Sequence, residues 1–416
     1  MTTPAVPTES GRPRVVLGVS GGIAAYKACE VLRRFTESAH DVTVVPTAAA
    51  LEFVGAPTWA ALSGHPVSTE VWDEVHQVPH VRIGQEADLV VVAPATADLL
   101  AKAAHGLADD LLTNTLLTAR CPVVMAPAMH TEMWEHPATQ HNVATLRERG
   151  VLVIDPAEGR LTGADTGRGR LPDPAEIFAV CGDVLARGAG DGVRLDLAGR
   201  HVVVSAGGTR ERLDPVRYLG NRSSGRQGYA LARAAVARGA EVTLVSANVA
   251  LPDPAGVKVV RVESTADMRD AVVAAASSAD AVVMAAAPAD FRPVNLSAVK
   301  IKKDLDGSAP SIELEQNPDI LAEIAADRTR PGSVVVGFAA ETGDDTGSVL
   351  DLARAKLARK GCDLLVVNDV SEGKVFGQEH NEAVILGSDG SALDVPRATK
   401  SVLAHRIWDR VAARLG

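Results

Sequence analysis

Arg14-Val-Val-Leu-Gly-Val-Ser-Gly-Gly-Ile23 is a β-branched apolar run that breaks at paired glycines, and apolar residues then recur at Ala24, Ala28, Val31, Leu32 and Phe35. The short run suits a strand buried on both faces, and the later spacing suits one face of a helix. The local order is therefore strand, tight turn, helix. The same grammar returns at His201-Val-Val-Val-Ser205, which runs into Gly207-Gly208 and then a predicted helix over about 227–238. Asp41–Val45 (DVTVV) matches Glu241–Val245 (EVTLV), and Asp88–Asp98 (DLVVVAPATAD) resembles Asp280–Asp290 (DAVVMAAAPAD). Such runs, separated by helical patterns, predict an α/β chain of two doubly wound, Rossmann-like modules with mainly parallel sheets.

A length of 416 residues fits two domains at about 100–200 residues each. A predicted helix over 174–187 gives way to Gly188-Ala-Gly-Asp-Gly192, a linker-like stretch, which puts the boundary near residue 190. The expected domains are 14–190 and 191–416, after a disordered segment 1–13 of polar residues and prolines. With 46% hydrophobic and 23% charged residues the composition is globular. The net charge of -10 argues against a nucleic-acid binder, which needs a basic face. Cys29, Cys121, Cys181 and Cys362 are widely spaced, without zinc-like or disulfide-framework patterning. No segment approaches about 18 uninterrupted apolar residues, so no membrane span is expected and the cytoplasm is the expected location.

Ligands of open α/β sheets sit beyond the carboxyl ends of the strands, where every motif of interest falls. Ser20-Gly-Gly-Ile23 opens a helix, and its glycines let backbone N–H groups approach a phosphate. It lacks the dinucleotide G-x-G-x-x-G pattern, and no acidic residue ends the second strand, where Val44-Val-Pro-Thr47 stands. A mononucleotide fits better than NAD. Ala93-Pro-Ala-Thr-Ala-Asp98 is expected to follow the third strand and Met125-Ala-Pro-Ala-Met-His-Thr-Glu-Met-Trp134 the fourth.

With His80 ahead of Asp88, these segments make residues 14–180 resemble the flavin-containing cysteine decarboxylases, specifically the phosphopantothenoylcysteine decarboxylase family. The resemblance implies a flavodoxin-like domain that binds FMN through Ser20, Gly21, Gly22, Ile23, Thr47, Thr96 and Met125. It makes His80 the catalytic base or carboxylate partner; His76 is taken as a solvated loop residue. Two positions depart from the family pattern. His130 replaces the usual asparagine and can still donate a hydrogen bond to a substrate carboxylate. Gly163 stands where the lid over 159–170 usually carries a proton-donating cysteine, leaving Thr162, Asp165 and His130 as candidate acids.

In the second half, Ala206-Gly-Gly-Thr-Arg-Glu211 is followed by an insertion and then by Asn221-Arg-Ser-Ser-Gly225. Small polar side chains and free N–H groups there suit a phosphate, so Asn221, Ser223, Ser224 and Gly225 are the expected substrate cradle. Lys300-Ile-Lys-Lys303, Asn317-Pro-Asp-Ile320 and Gly337-Phe-Ala-Ala-Glu341 come next. Lys356 and Lys360, four apart, share one face of a predicted helix. No Walker pattern is present.

This ordered set resembles the phosphopantothenate-cysteine ligases over about residues 195–410. The resemblance implies that a pantothenate carboxylate is activated by CTP, with Mg²⁺ or Mn²⁺, before cysteine displaces CMP. Asn221 would hold the acyl intermediate and Lys300 would stabilise phosphate charge. Met284, Ala285, Ala286, Asp290, Pro318, Asp319, Ile320, Leu321, Phe338, Lys356 and Lys360 would bind CTP. The expected partners are small molecules and further copies of the chain, in trimeric decarboxylase and dimeric ligase contacts. The competing reading keeps the ligase but makes the first half a regulatory or only partly active flavoprotein.

Overall fold

A computed structural model describes residues 11–67, 79–160, 166–187, 195–302, 311–341, 349–369 and 380–416. The expected disordered segment and the 188–192 linker fall at or outside its edges. The chain divides into two compact units, Met1–Leu195 and Asp196–Gly416.

The first unit runs β1 (Arg14–Val19), α1 (Ala25–Glu37), β2 (Asp41–Pro46), α2 (Ala48–Leu51), α3 (Ala56–Ser63), α4 (Pro79–Glu86), β3 (Leu89–Ala95) and α5 (Ala97–His105). It continues through α6 (Leu111–Thr118), β4 (Val123–Pro127), α7 (Thr131–Glu135), α8 (Pro137–Glu148), β5 (Leu152–Val153), β6 (Ala157–Arg160), β7 (Thr166–Arg170) and α9 (Pro174–Ala186). Five parallel strands lie in the order β2-β1-β3-β4-β5. The chain reverses its direction of travel between β1 and β3, so the crevice at their carboxyl ends is the topological switch point. The strands are buried because they read as unbroken Val/Leu runs. α1 buries Ala28, Val31, Leu32 and Phe35 of the stripe predicted from its spacing, with Ala25 in place of Ala24, which is the half-buried N-cap residue.

The second unit runs β8 (His201–Gly207), β9 (Arg210–Arg212), β10 (Tyr218–Gly220), α10 (Arg226–Val236), β11 (Glu241–Ala247), β12 (Val257–Val262), α11 (Thr265–Ala276), β13 (Ala281–Met284) and β14 (Phe291–Pro293). After these come β15 (Leu314–Gln316), α12 (Ile320–Ala326), β16 (Val334–Glu341), α13 (Val349–Lys360), β17 (Leu364–Asp369), β18 (His380–Gly387), β19 (Ala392–Thr399) and α14 (Lys400–Leu415). The main sheet has the order β12-β11-β8-β13-β16-β17-β18-β19, parallel as far as β17 and antiparallel beyond it. Its switch point lies between β8 and β13.

One apolar layer of this unit packs α10 and α14 against the sheet, around Tyr229, Leu231, Ile407 and Trp408. Trp408 Nε1 donates to Leu231 O at 2.9 Å, satisfying the buried indole. Arg238, 1% exposed, pairs with both Asp196 and Asp409, so a buried cation joins the start of the unit to its last helix. α10 sits close to β8 because Gly228 leaves room: a Cβ there would lie 2.5 Å from Ala206 Cβ and 2.9 Å from Ser205 O. Gly228→Val is therefore expected to cost about 1–3 kcal/mol by overpacking. Urea unfolding of the full chain measures this, and unchanged stability would contradict the close docking.

Candidate functional sites

At the first switch point, the turn after β1 is tied to the turn after β3. Ser20 Oγ donates to Pro94 O at 2.8 Å and accepts from Thr96 N at 2.9 Å. Thr96 in turn caps α5 and Thr47 caps α2 through their side-chain oxygens. Gly21 faces α2: a Cβ on it would lie 2.4 Å from Ala49 Cβ, a clash that excludes any side chain. A Cβ on Gly22 would meet nothing closer than Thr96 Cγ2 at 3.6 Å. Ile23 is 73% exposed. Ser20, Gly21, Gly22, Thr47 and Thr96 are thus brought around one crevice.

Met125 differs from the expectation that its segment follows the fourth strand. It lies inside β4, 1% exposed, among the core side chains, because Val-Val-Met-Ala is apolar throughout and gives no earlier stop. Only Ala128 and the residues after it leave the sheet, with Ala128 N bonded to Ala95 O at 3.1 Å. His130 is exposed as the N-cap residue of α7 and makes no side-chain cap. The β6–β7 hairpin crosses this segment: Met129 N donates to Gly169 O at 2.9 Å, and a Cβ on Gly169 would sit 2.2 Å from Met129 O. His80 falls in the first turn of α4, with its side chain outside the described residues. His76, Thr162, Gly163 and Asp165 also lie outside them.

Sequence reasoning overlooked Lys27, in the first turn of α1. Burial, and then the nearby Arg170, hold its ammonium below the usual lysine pKa, while Asp173 offsets part of the effect. An anion beside that ammonium would oppose the repulsion from Arg170.

In the second unit the backbone after β8 is close-packed. Gly207 has φ +86, and a Cβ on it would lie 2.0 Å from Ala247 O. Three sequence motifs then converge on Pro288-Ala289-Asp290. Asn221 Nδ2 donates to Pro288 O at 2.7 Å. Ala289 N donates to Thr209 Oγ1 at 2.8 Å, and Thr209 is joined to Thr265, which donates to the buried Glu211 carboxylate. Asn317 Nδ2 donates to Ala289 O at 2.9 Å and Asn317 N to Asp290 O at 2.9 Å. Thr209 and Glu211 belong to the segment quoted from the sequence, but their link through buried Thr265 could not be read there, because that residue lies on α11.

Of the other candidates, Ser223 is half-buried and Ser224 exposed, ahead of Gly225, which takes a left-handed φ of +73 to begin α10. Met284 and Ile320 are buried in the core, so only their backbones can face a ligand, whereas Ala285, Ala286, Pro318, Leu321 and Phe338 are half-buried. Lys356 and Lys360 both lie on α13, and Lys360 pairs with Asp319, the N-cap of α12. Lys300 is exposed beside Ile301, whose N–H and C=O are held by Asp214 and Arg217. Among the described residues no group of three or more His, Cys, Asp or Glu could hold a metal ion, and no helix is long and apolar enough to cross a membrane.

Residues 4–185 match the family described as flavoprotein, and residues 197–415 match the DNA/pantothenate metabolism flavoprotein C-terminal domain. The coenzyme A biosynthesis bifunctional protein CoaBC of Mycolicibacterium smegmatis is 58% identical over 412 residues, covering 98% of this chain and 99% of its own. The chain belongs to that family. The family member of Mycobacterium tuberculosis is also 58% identical, over 407 residues and 97% of each chain. That of Vibrio cholerae is 43% identical over 397 residues, 95% of this chain and 96% of its own. This CoaBC-family protein is thus a bifunctional enzyme of coenzyme A biosynthesis, with a flavoprotein decarboxylase domain followed by a ligase domain. The regulatory-flavoprotein reading finds no support in these likenesses.

The Asp319–Lys360 pair yields a pH test. Burial alone would raise the Asp319 pKa, but the bond from Lys360 and the cap bond from Ala322 outweigh it and hold the carboxyl below the usual range. A depressed carboxyl contributes stability above its unfolded pKa of about 3.9 and loses it as pH falls through the folded value. Asp319→Asn keeps a capping oxygen but loses the charge. Its thermal midpoint is expected to lie below that of the parent at neutral pH, with the gap closing below about pH 4; a gap that persists in acid would contradict the pairing.

Proposed function

We propose that the second unit ligates 4'-phosphopantothenate to cysteine using CTP, and that the first decarboxylates the resulting 4'-phospho-N-pantothenoylcysteine to 4'-phosphopantetheine using FMN. What carries the ligase reading is the convergence of three separated motifs on Pro288-Ala289-Asp290 at the carboxyl end of the sheet. The first unit fits FMN because Gly21 and Gly22 at its switch point bear no side chain to hold a phosphate away from the backbone of the turn that opens α1. Ser20, Gly21, Gly22, Ile23, Thr47 and Thr96 would hold the cofactor, and Met125 would support it from within the sheet.

Bound FMN supplies a reversible hydride acceptor, which eases loss of carbon dioxide from the cysteine-derived end. His80 would act as base or as partner of the substrate carboxylate, and exposed His130 would donate a hydrogen bond to that carboxylate. Since Gly163 cannot donate a proton, Thr162, Asp165 or His130 would complete the aminothiol.

In ligation, a pantothenate carboxylate oxygen bonds to the α-phosphorus of CTP as the bond to the β-phosphate oxygen breaks and pyrophosphate leaves. The cysteine amine then bonds to the acyl carbon as CMP departs. Lys300 would oppose the charge that develops on the phosphates, and Asn221, with Ser223, Ser224 and Gly225, would hold the acyl intermediate. Met284–Ala286, Asp290, Pro318–Leu321, Phe338, Lys356 and Lys360 would surround CTP. Mg²⁺ or Mn²⁺ would arrive with the triphosphate.

Exposed Val216, Tyr218, Phe291, Leu296 and Val299 lie on or beside the β9–β10 and β14–β15 ribbons, an apolar surface that favours pairing of ligase units from two copies. Decarboxylase trimers complete the proposed homo-oligomer, a cytoplasmic assembly that takes no nucleic acid.

Purified protein should be yellow, and release of bound FMN on denaturation should account for the absorbance; a colourless preparation that takes up no FMN would refute the first assignment. Lys300→Ala should slow CTP-dependent pyrophosphate release about a hundredfold, near the loss seen for one oxyanion-stabilising donor, while supplied phosphopantothenoylcysteine is still decarboxylated. Loss of both activities in the folded variant would contradict two separate sites.

A further inference from the structure

Asp214 is an acidic side chain removed from solvent, 2% exposed, whose oxygens meet donors from two distant segments. Val216 N and Arg217 N donate to Oδ1 at 2.7 and 2.8 Å. Arg217 Nη1 donates to Oδ2 at 2.8 Å, and Ile301 N, eighty-seven residues along the chain, donates to the same oxygen at 3.1 Å. Arg217 Nη1 also donates to Ile301 O at 3.0 Å. Ile301 is therefore gripped at both its N–H and its C=O. Ser297 N, bonded to Leu213 O at 3.2 Å, seats the preceding stretch on the same turn.

Val294 N still donates to Glu313 O at 3.0 Å, but residues 295–302 form neither helix nor strand, so no ladder fixes the backbone around Lys300. Lys300 and Lys302, on either side of the gripped residue, are exposed. A carboxylate is the group this geometry needs. Ionised, it offers about four acceptor sites and can serve all four donors; an amide would turn an NH₂ towards Ile301 N–H and the guanidinium. These bonds outweigh the effect of burial and hold the Asp214 carboxyl below its ordinary range.

We infer that Asp214 is a positioning residue for ligation: by holding the Ile301 backbone it fixes Lys300 where charge develops during attack on the nucleotide. Asp214 touches no substrate, and its effect passes through Lys300. The inference rests on the assignment of Lys300 proposed above.

Pyrophosphate release by the full-length enzyme at saturating CTP and phosphopantothenate, with cysteine varied up to saturation, tests it, with Asp214→Asn, Lys300→Ala and the double variant compared. Asp214→Asn is expected to lower the rate at least tenfold and to move the KM for cysteine less than twofold. Added to Lys300→Ala, it should change the residual rate less than twofold, because the lysine it positions is gone. A further tenfold loss in the double variant would show that Asp214 acts independently of Lys300, and a parental rate for Asp214→Asn alone would also overturn the inference. A parental rate for Lys300→Ala would instead refute the underlying assignment, and the inference with it. Should Asp214→Asn fail to fold, Ile301→Pro removes the bonded N–H from the other side. It is expected to reproduce the tenfold loss, and a parental rate would be as damaging.

Discussion

Each unit depends on backbone approaching backbone at the carboxyl end of its first strand, at distances no side chain would permit. In the first unit Gly21 lies against Ala49; in the second Gly207 lies against Ala247 O and Gly228 against Ser205 O. These contacts press the turn and the following helix onto the sheet at the switch point. The polar ties are built on that seat. Ser20 can join Pro94 to Thr96, and Thr209 can reach Ala289, only because the turns beside them lie so close. A bulky residue at any of these glycines would displace the very groups that define the site.

The parallel part of the architecture was legible because its signal is local and repeated. Apolar runs ending at Gly-Gly, followed by helical spacing, require no knowledge of distant partners, and the α1 stripe and both central strands follow from them. The parts that escaped are those whose stability comes from remote contacts. The β6–β7 hairpin is rich in Gly and Arg and is seated by Met129. The β9–β10 and β14–β15 ribbons are only three residues per strand, too short for alternation to register. The antiparallel addition of β18 and β19, with α14 behind them, is held by a core spread over the whole second unit.

The site divides in the same way. The glycine turns could be read from residue type alone, whereas Thr47 and Thr96 entered only through the resemblance, without their capping role, and Met125 could not be placed within a run that is apolar to its end. Asp214 did carry a signal: Asp-Pro is a turn former, and the bond from Val216 N to the Asp214 carboxylate is the local turn that pairing favours. Its bond to Ile301, by contrast, is invisible without the fold. Family likeness covers both units over nearly their whole length, so these long-range ties are where the chain's particular geometry adds to what the family conveys.

Lys360 meets Asp319 at the start of α12, an internal ion pair in the segment where a polyanion is proposed to lie. The carboxylate serves as a resident stand-in, keeping the ammonium oriented when no phosphate is there. Arrival of a nucleotide at that cation would exchange the ammonium's counter-ion, while the carboxylate, fixed to the chain, stays nearby and adds its charge to that of the phosphates. Binding there would then depend on how well each polyphosphate displaces a partner already in place.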